Sequence, residues 1–135
     1  EDFDRAIDAV LREAKIDLVC EAGFMRIHSE WFAREWEGKL LNIHPSLLPA
    51  FKGIRVHQQA LDAGVKISGC TVHFIVAELD SGPIIAQASV PVLPGDTAET
   101  LAARVLEKEH KLYPHALQLV AEGKVKLENG RAVFV

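Results

Sequence analysis

The chain has 135 residues, a formal charge of −4, 49% apolar and 25% charged residues, the composition of a folded globular domain able to bury about two thirds of its unfolded surface. That balance excludes a disordered chain, and because Lys and Arg are dispersed rather than clustered it excludes a nucleic-acid-binding surface. No apolar run approaches the roughly 20 residues needed to cross a bilayer, and the two cysteines, Cys20 and Cys70, lie in apolar runs where reduced, buried packing roles are expected, as in the cytoplasm.

Phe3, Ile7, Val10, Leu11 and Ala14 recur at helical spacing and predict a helix over 3–15, too acidic for a signal peptide. With no initiator Met and no opening strand, the chain is expected to be part of a longer protein. Residues 16–24 form a short apolar run that reads as a strand of a parallel sheet, and Ser29 is placed to cap a helix to about Glu37. Residues 39–44 predict a second strand, stopped by Pro45. A loop rich in Pro and Gly then leads to a helix over 56–63, closed by Gly64. Residues 67–76 and 84–92 predict two strands with a hairpin-like connection around Asp80, Ser81 and Gly82. Asp96 and Glu99 have capping-box spacing and open a long helix to about Glu122, which Pro114 should kink. The tail, KVKLENGRAVFV, alternates on both sides of Asn129-Gly130 and predicts a hairpin. Strands alternating with helices imply an α/β fold with a mostly parallel sheet, and such sheets bind ligands beyond the carboxyl ends of their strands.

Asn42 and His44 stand two apart on a predicted strand, so the pleat turns both toward one face, next to the strand's end at Pro45. The alternative for such a pair is a loop-capping Asn and a packing His. Asp80, in a turn between Leu79 and Gly82, either bonds its own backbone or approaches His44. In the second case the carboxylate favours an imidazolium, and Asn42 beside it supplies amide donors for a developing oxyanion. The three groups together suit acyl transfer through a tetrahedral intermediate. His73, on the face of Thr71 and Ile75, is a candidate supporting group or else a core histidine satisfied by a carbonyl. His57, His110 and His115 read as solvated helix residues, and His28 as a helix-start residue. No histidine spacing resembles a zinc site, no GxSxG or Cys nucleophile is present, and no Walker-type or GxGxxG loop points to a nucleotide cofactor.

Taken together, AGFMRI (22–27), LLNIHPSLLPAFKG (40–53), GCTVHF (69–74), ELDSGPIIAQ (78–87) and EHKLYP (109–114) closely resemble the glycinamide ribonucleotide (phosphoribosylglycinamide) formyltransferases of the folate-dependent formyltransferase family. The resemblance covers essentially the whole chain. It implies a Rossmann-like formyltransferase sheet without the family's N-terminal strands and phosphate-binding loop, so residues 1–135 are expected to form the C-terminal part of the catalytic domain. It implies transfer of a formyl group from 10-formyltetrahydrofolate, a cosubstrate, to the amine of glycinamide ribonucleotide in purine biosynthesis, with no metal, nucleic acid or membrane partner. The enzyme is expected in the cytoplasm, as a monomer or homodimer. The family's catalytic Asn, His and Asp fall on Asn42, His44 and Asp80. The folate is expected against Met25, Arg26 and Ile27, the Leu40 side of the strand, Asn42, and the turn through Ala77, Glu78 and Asp80. The ribonucleotide is expected at Pro45, Gly53 and Glu109, although Glu109 read by itself is an exposed helix residue. Glu21 and His28 depart from the pattern, which is usually apolar there. Formyltetrahydrofolate hydrolases resemble the same region but tend to read NIHHSFLP where this chain has NIHPSLLP, and a methionyl-tRNA formyltransferase should carry a further basic domain. A folate-binding fragment without turnover is the remaining alternative.

Overall fold

The structure, a computed structural model, describes residues 2–23, 28–78 and 80–135. In chain order the elements are α1 (Asp2–Glu13), β1 (Val19–Ala22), α2 (Glu30–Glu35), β2 (Leu40–His44), α3 (Val56–Ala63), β3 (Ile67–Phe74), β4 (Ile84–Pro91), α4 (Ala98–Ala121), β5 (Val125–Glu128) and β6 (Arg131–Phe134). Strands β1 to β4 form one sheet in sequence order, and β5 and β6 form a separate hairpin. The α/β class, the flanking helices and the C-terminal hairpin agree with the sequence reading. The four-stranded sheet itself is mixed rather than mostly parallel: β1 and β2 run parallel, while β2–β3 and β3–β4 are antiparallel. The β3–β4 link through residues 75–83 is too short for the dozen or more residues of a parallel crossover.

Each face of the sheet has its own core. Leu41 and Ile43 of β2 and Cys70, Val72 and Phe74 of β3 pack with Leu101, Val105 and Ala116 of α4 and Ala60 of α3. On the opposite face Leu40 joins Phe32 and Trp36 of α2, with Ile7 and Leu11 of α1 and Ile75 against them. Of the stripe expected on α1, Phe3 and Val10 are exposed.

Local signals account for most boundaries. Ser29 caps α2, its hydroxyl accepting from Phe32 N–H, and Gly64 ends α3 at φ +72°. The cap of α4 is Thr97, one residue later than the sequence suggested. Thr97 and Thr100 exchange side-chain and backbone hydrogen bonds, while Asp96 accepts from Leu93 N–H and pairs with Arg104. Helix α4 continues through Pro114 to Ala121. Asn129 and Gly130 both have positive φ, as a tight hairpin turn requires. Both cysteines are free, but Cys20, expected inside, is exposed on β1, because β1 pairs only with β2 among the described residues.

Candidate active site

Strand β2 delivers two side chains to the end of the sheet. Asn42 and His44 share its second face, since Leu41 and Ile43 between them are committed to the α4 core. Across the sheet Asn42 is paired with Glu21 on β1 and His73 on β3, and His44 with Thr71. The chain leaves β2 at Pro45 and enters a loop that includes a cis Leu48–Pro49 peptide. Thr71, fully buried, ties this loop down: its hydroxyl donates to Ser46 O at 2.7 Å and accepts from Leu48 N–H at 3.1 Å. Gln87 of β4 adds a bond from its amide to Leu48 O at 3.0 Å.

The loop in turn fixes His44. Its Nε2 donates to Phe51 O at 2.9 Å, an acceptor only, so that nitrogen carries a proton. Its Nδ1 faces Asp80 Oδ1 at 3.5 Å. A well-made N–H···O bond spans about 2.7–3.2 Å, so this contact is looser than a full hydrogen bond. Asp80 is held from the other side, where Gly53 N–H donates to Oδ2 at 2.8 Å. His44 and Asp80 are 5% and 8% exposed, so solvent screens the pair little. Phe51, Arg55 and Asp80 all adopt positive φ. For residues other than glycine this costs on the order of 1–3 kcal/mol each, and such strain gathers at functional sites.

Asn42, His44, Pro45, Gly53 and Asp80 line one cleft of about 430 Å³ together with Gly23, Ile54, Arg55, Val56 and His57. This volume suits a small molecule, and mostly apolar walls with a few convergent polar groups are the usual lining of such sites. Two buried polar atoms in the cleft residues lack hydrogen-bond partners, Asn42 Oδ1 and His57 Nδ1, and so does His73 Nε2 on the neighbouring strand. Buried groups left unpaired are costly, and a ligand's donors would satisfy them. Burial, with the charge of His44 behind it, pushes the His57 pKa down. His73 is likewise pushed down by burial while its Nδ1 donates to Phe74 O at 2.8 Å. Among the described residues no three His, Cys, Asp or Glu side chains converge as metal ligands, and no helix is long and apolar enough to cross a membrane.

The formyl transferase family model matches residues 1–117. The chain belongs to the formyl transferase family. It is 61% identical over 134 residues to the bovine trifunctional purine biosynthetic protein adenosine-3, covering 98% of this chain and 13% of that protein. The phosphoribosylglycinamide formyltransferase of Anaplasma phagocytophilum superposes with a TM-score of 0.91 at 54% identity, over 97% of this chain and 65% of that one. A formyltetrahydrofolate deformylase from Pseudomonas syringae superposes equally well, TM-score 0.91, at 30% identity, over 99% of this chain and 45% of that one. The chain therefore spans less than two thirds of the length of each of these relatives.

Within this formyl transferase fold the structure gathers Asn42, His44, Asp80, Pro45 and Gly53 in one cleft. Leu40 is elsewhere: its side chain is fully buried in the α2 core. Ala77 and Glu78 lie in the turn leading to Asp80, half-buried and exposed respectively, outside the cleft lining. Glu109 is half-buried on α4, and burial pushes its carboxyl up while the charges of His110 and His44 oppose that shift. Met25, Arg26 and Ile27 lie outside the described residues. Sequence reasoning missed Gly23, Ile54, Arg55 and His57 in the lining. It placed His57 in solvent because a helix start looks exposed when the loop before it is not yet folded. His28, read as a helix-start residue, is buried among carboxylates.

Proposed function

We propose that this chain carries the catalytic centre of a glycinamide ribonucleotide formyltransferase, moving the formyl group of 10-formyltetrahydrofolate to the substrate's primary amine in purine biosynthesis. The observation that carries this reading is the imidazole–carboxylate pair of His44 and Asp80 beside Asn42 in one cleft. The names of the bovine and Anaplasma relatives support the choice of acceptor. The two substrates are small molecules, and two free cysteines fit a cytoplasmic setting.

In this mechanism the substrate amine attacks the formyl carbon directly, and its nitrogen forms the new C–N bond. The formyl oxygen becomes an oxyanion, which the Nδ1–H of a protonated His44 and the amide of Asn42 stabilise. The free Asn42 oxygen and the amide nitrogen exchange places by a half-turn of the side chain, so either can face the reacting atoms. Collapse of the intermediate breaks the bond from the formyl carbon to N10, which leaves with a proton as the amine loses one. Asp80 keeps His44 charged and passes these protons through water. Folate is assigned to the cleft, to the turn over 77–82 and to residues 25–27, and the ribonucleotide to Pro45, Gly53 and Glu109.

Hydrolysis of the formyl donor is the competing reading, since the deformylase shares this fold. Pro45 after His44, where the hydrolases tend to carry a second His, favours transfer. The test follows loss of the 10-formyl chromophore with glycinamide ribonucleotide, with water alone, and for the chain alone or preceded by the N-terminal segment of the Anaplasma relative. Turnover that requires the ribonucleotide supports the proposal, and turnover independent of it refutes transfer in favour of hydrolysis.

A further inference from the structure

A second cluster of ionisable groups lies one strand away from Asn42. His28 is 5% exposed, with Nδ1 3.0 Å from Asp4 Oδ1 and Nε2 2.9 Å from Glu21 Oε2. With both carboxylates ionised they only accept, and both ring nitrogens then donate as an imidazolium. The second oxygen of Asp4 accepts Ser29 N–H at 2.6 Å, and Phe32 stacks on the ring with centroids 4.5 Å apart. Among the described residues Asp4 of α1 and Glu21 of β1 set their carboxylates against this ring, while α2 offers the uncharged face of Phe32. Burial works against the charged ring, but hydrogen bonds and charge from Glu21 and Asp4 outweigh it and hold the His28 pKa above its ordinary value.

Glu21 ties this cluster to the cleft. It is the β1 partner of Asn42, so the two side chains emerge side by side on one face. Its main-chain carbonyl accepts from the Tyr113 hydroxyl at 2.6 Å, and two residues further on Gly23 lines the cleft. A buried ion pair seldom stabilises a fold more than apolar residues of the same volume would. A buried histidine held between two carboxylates beside the cleft therefore calls for a role besides stability.

We infer that His28 is a positioning residue: its ring, clamped between Glu21 and Asp4, fixes the end of β1 against Asn42 and so sets the wall of the cleft that receives the formyl donor. The inference rests on the proposed formyl transfer. Replacing the ring leaves two carboxylates facing each other, and the end of β1 relaxes away from Asn42.

The experiment measures donor KM and kcat between pH 6 and 9 for wild type, His28→Gln and the double variant Glu21→Leu/His28→Leu, in whichever form of the protein turns over. The expected result for His28→Gln is a donor KM raised about tenfold with kcat changed less than about threefold, a loss of the size that small misplacements produce. Wild-type donor KM should rise as pH passes above the imidazole pKa, a dependence both variants lack. The double variant should recover much of the donor KM, because an apolar pair restores the packing at the end of β1 while Asp4 keeps its bond from Ser29 N–H. A wild-type donor KM in His28→Gln, or a double variant as impaired as the single one, overturns the inference. So does an imidazole that titrates by NMR at or below the ordinary histidine value in the wild type, a readout independent of any variant's folding. A wild type that turns over neither with the ribonucleotide nor with water removes the functional reading itself, whereas an active wild type with a silent His28→Gln removes only this role.

Discussion

His44 Nδ1 stands 3.5 Å from Asp80 Oδ1, and Gly53 N–H holds the other carboxylate oxygen at 2.8 Å. The carboxylate is thus anchored on one side and left just beyond full hydrogen-bond distance of the imidazole on the other. That spacing leaves room for a third atom to approach the ring.

Asp80→Asn tests the pair directly. The amide oxygen can still accept from Gly53 N–H, so the turn should keep its shape, but an NH2 group or a neutral oxygen now faces His44. Loss of the negative charge facing the ring should lower kcat by about 10²–10³-fold, the cost of disabling one oxyanion donor, with donor affinity changed little. Steady-state kinetics and equilibrium folate binding check it. Wild-type kcat in this variant removes Asp80 from the mechanism.

Asn42 offers a second, opposite-signed test. Its buried oxygen has no partner, so the free fold bears a cost there. Asn42→Leu should therefore leave the melting temperature equal to or above wild type while kcat falls about 10²–10³-fold. A clear drop in melting temperature would mean that Asn42 holds the fold together instead.

Much of this was legible in the sequence because it is written in short-range signals. A spacing of two on a strand put Asn42 and His44 on one face, Asn129-Gly130 announced its hairpin, and Gly64 closed α3. Where two cap formers stood side by side, Asp96 and Thr97, the local signal could not choose, and the tertiary pairing of Asp96 with Arg104 decided. The mixed sheet was hidden, since an apolar run does not record the direction of its neighbour. The clamp on His28 was equally hidden: its partners lie 24 and 7 residues away, and no periodicity links them. The convergence of Ile54, Arg55 and His57 on the cleft depends on a loop pinned by Thr71 and Gln87 from two other strands.

Thr71→Val tests that pinning. Valine has the same shape but removes the donor to Ser46 O and the acceptor for Leu48 N–H and Gln87 Nε2. Leaving such groups unpaired in a fully buried site costs about 1–3 kcal/mol, which lowers the melting temperature by roughly 5–10 °C in a domain of this size. The same loop presents Phe51 O to His44, so kcat should fall along with stability. Calorimetry and kinetics read the two effects together, and a variant that loses stability at full kcat would show that the ring is held without the loop.

The clamp on His28 makes stability depend on pH in a direction that follows from its raised pKa. A histidine whose folded pKa lies above its unfolded value of about 6.5 binds its proton more tightly when folded. Its contribution is complete below about pH 6.5 and is lost as pH rises through the folded pKa. Asp4 runs the other way: burial alone would raise its carboxyl, but the bonds from Ser29 and His28 outweigh that and lower it, so its contribution disappears only in acid, below the ordinary range near 3.8. Between these limits His28→Gln should cost about 2 kcal/mol near pH 6, where an unpaired pair of buried carboxylates replaces a satisfied imidazolium. The difference from wild type should shrink toward pH 9, where the wild-type ring has itself lost its charge. Denaturant unfolding at a series of pH values measures the gap. A gap that stays constant, or widens as pH rises, would mean that the ring is neutral in the folded protein and that Glu21 or Asp4 carries the proton between them.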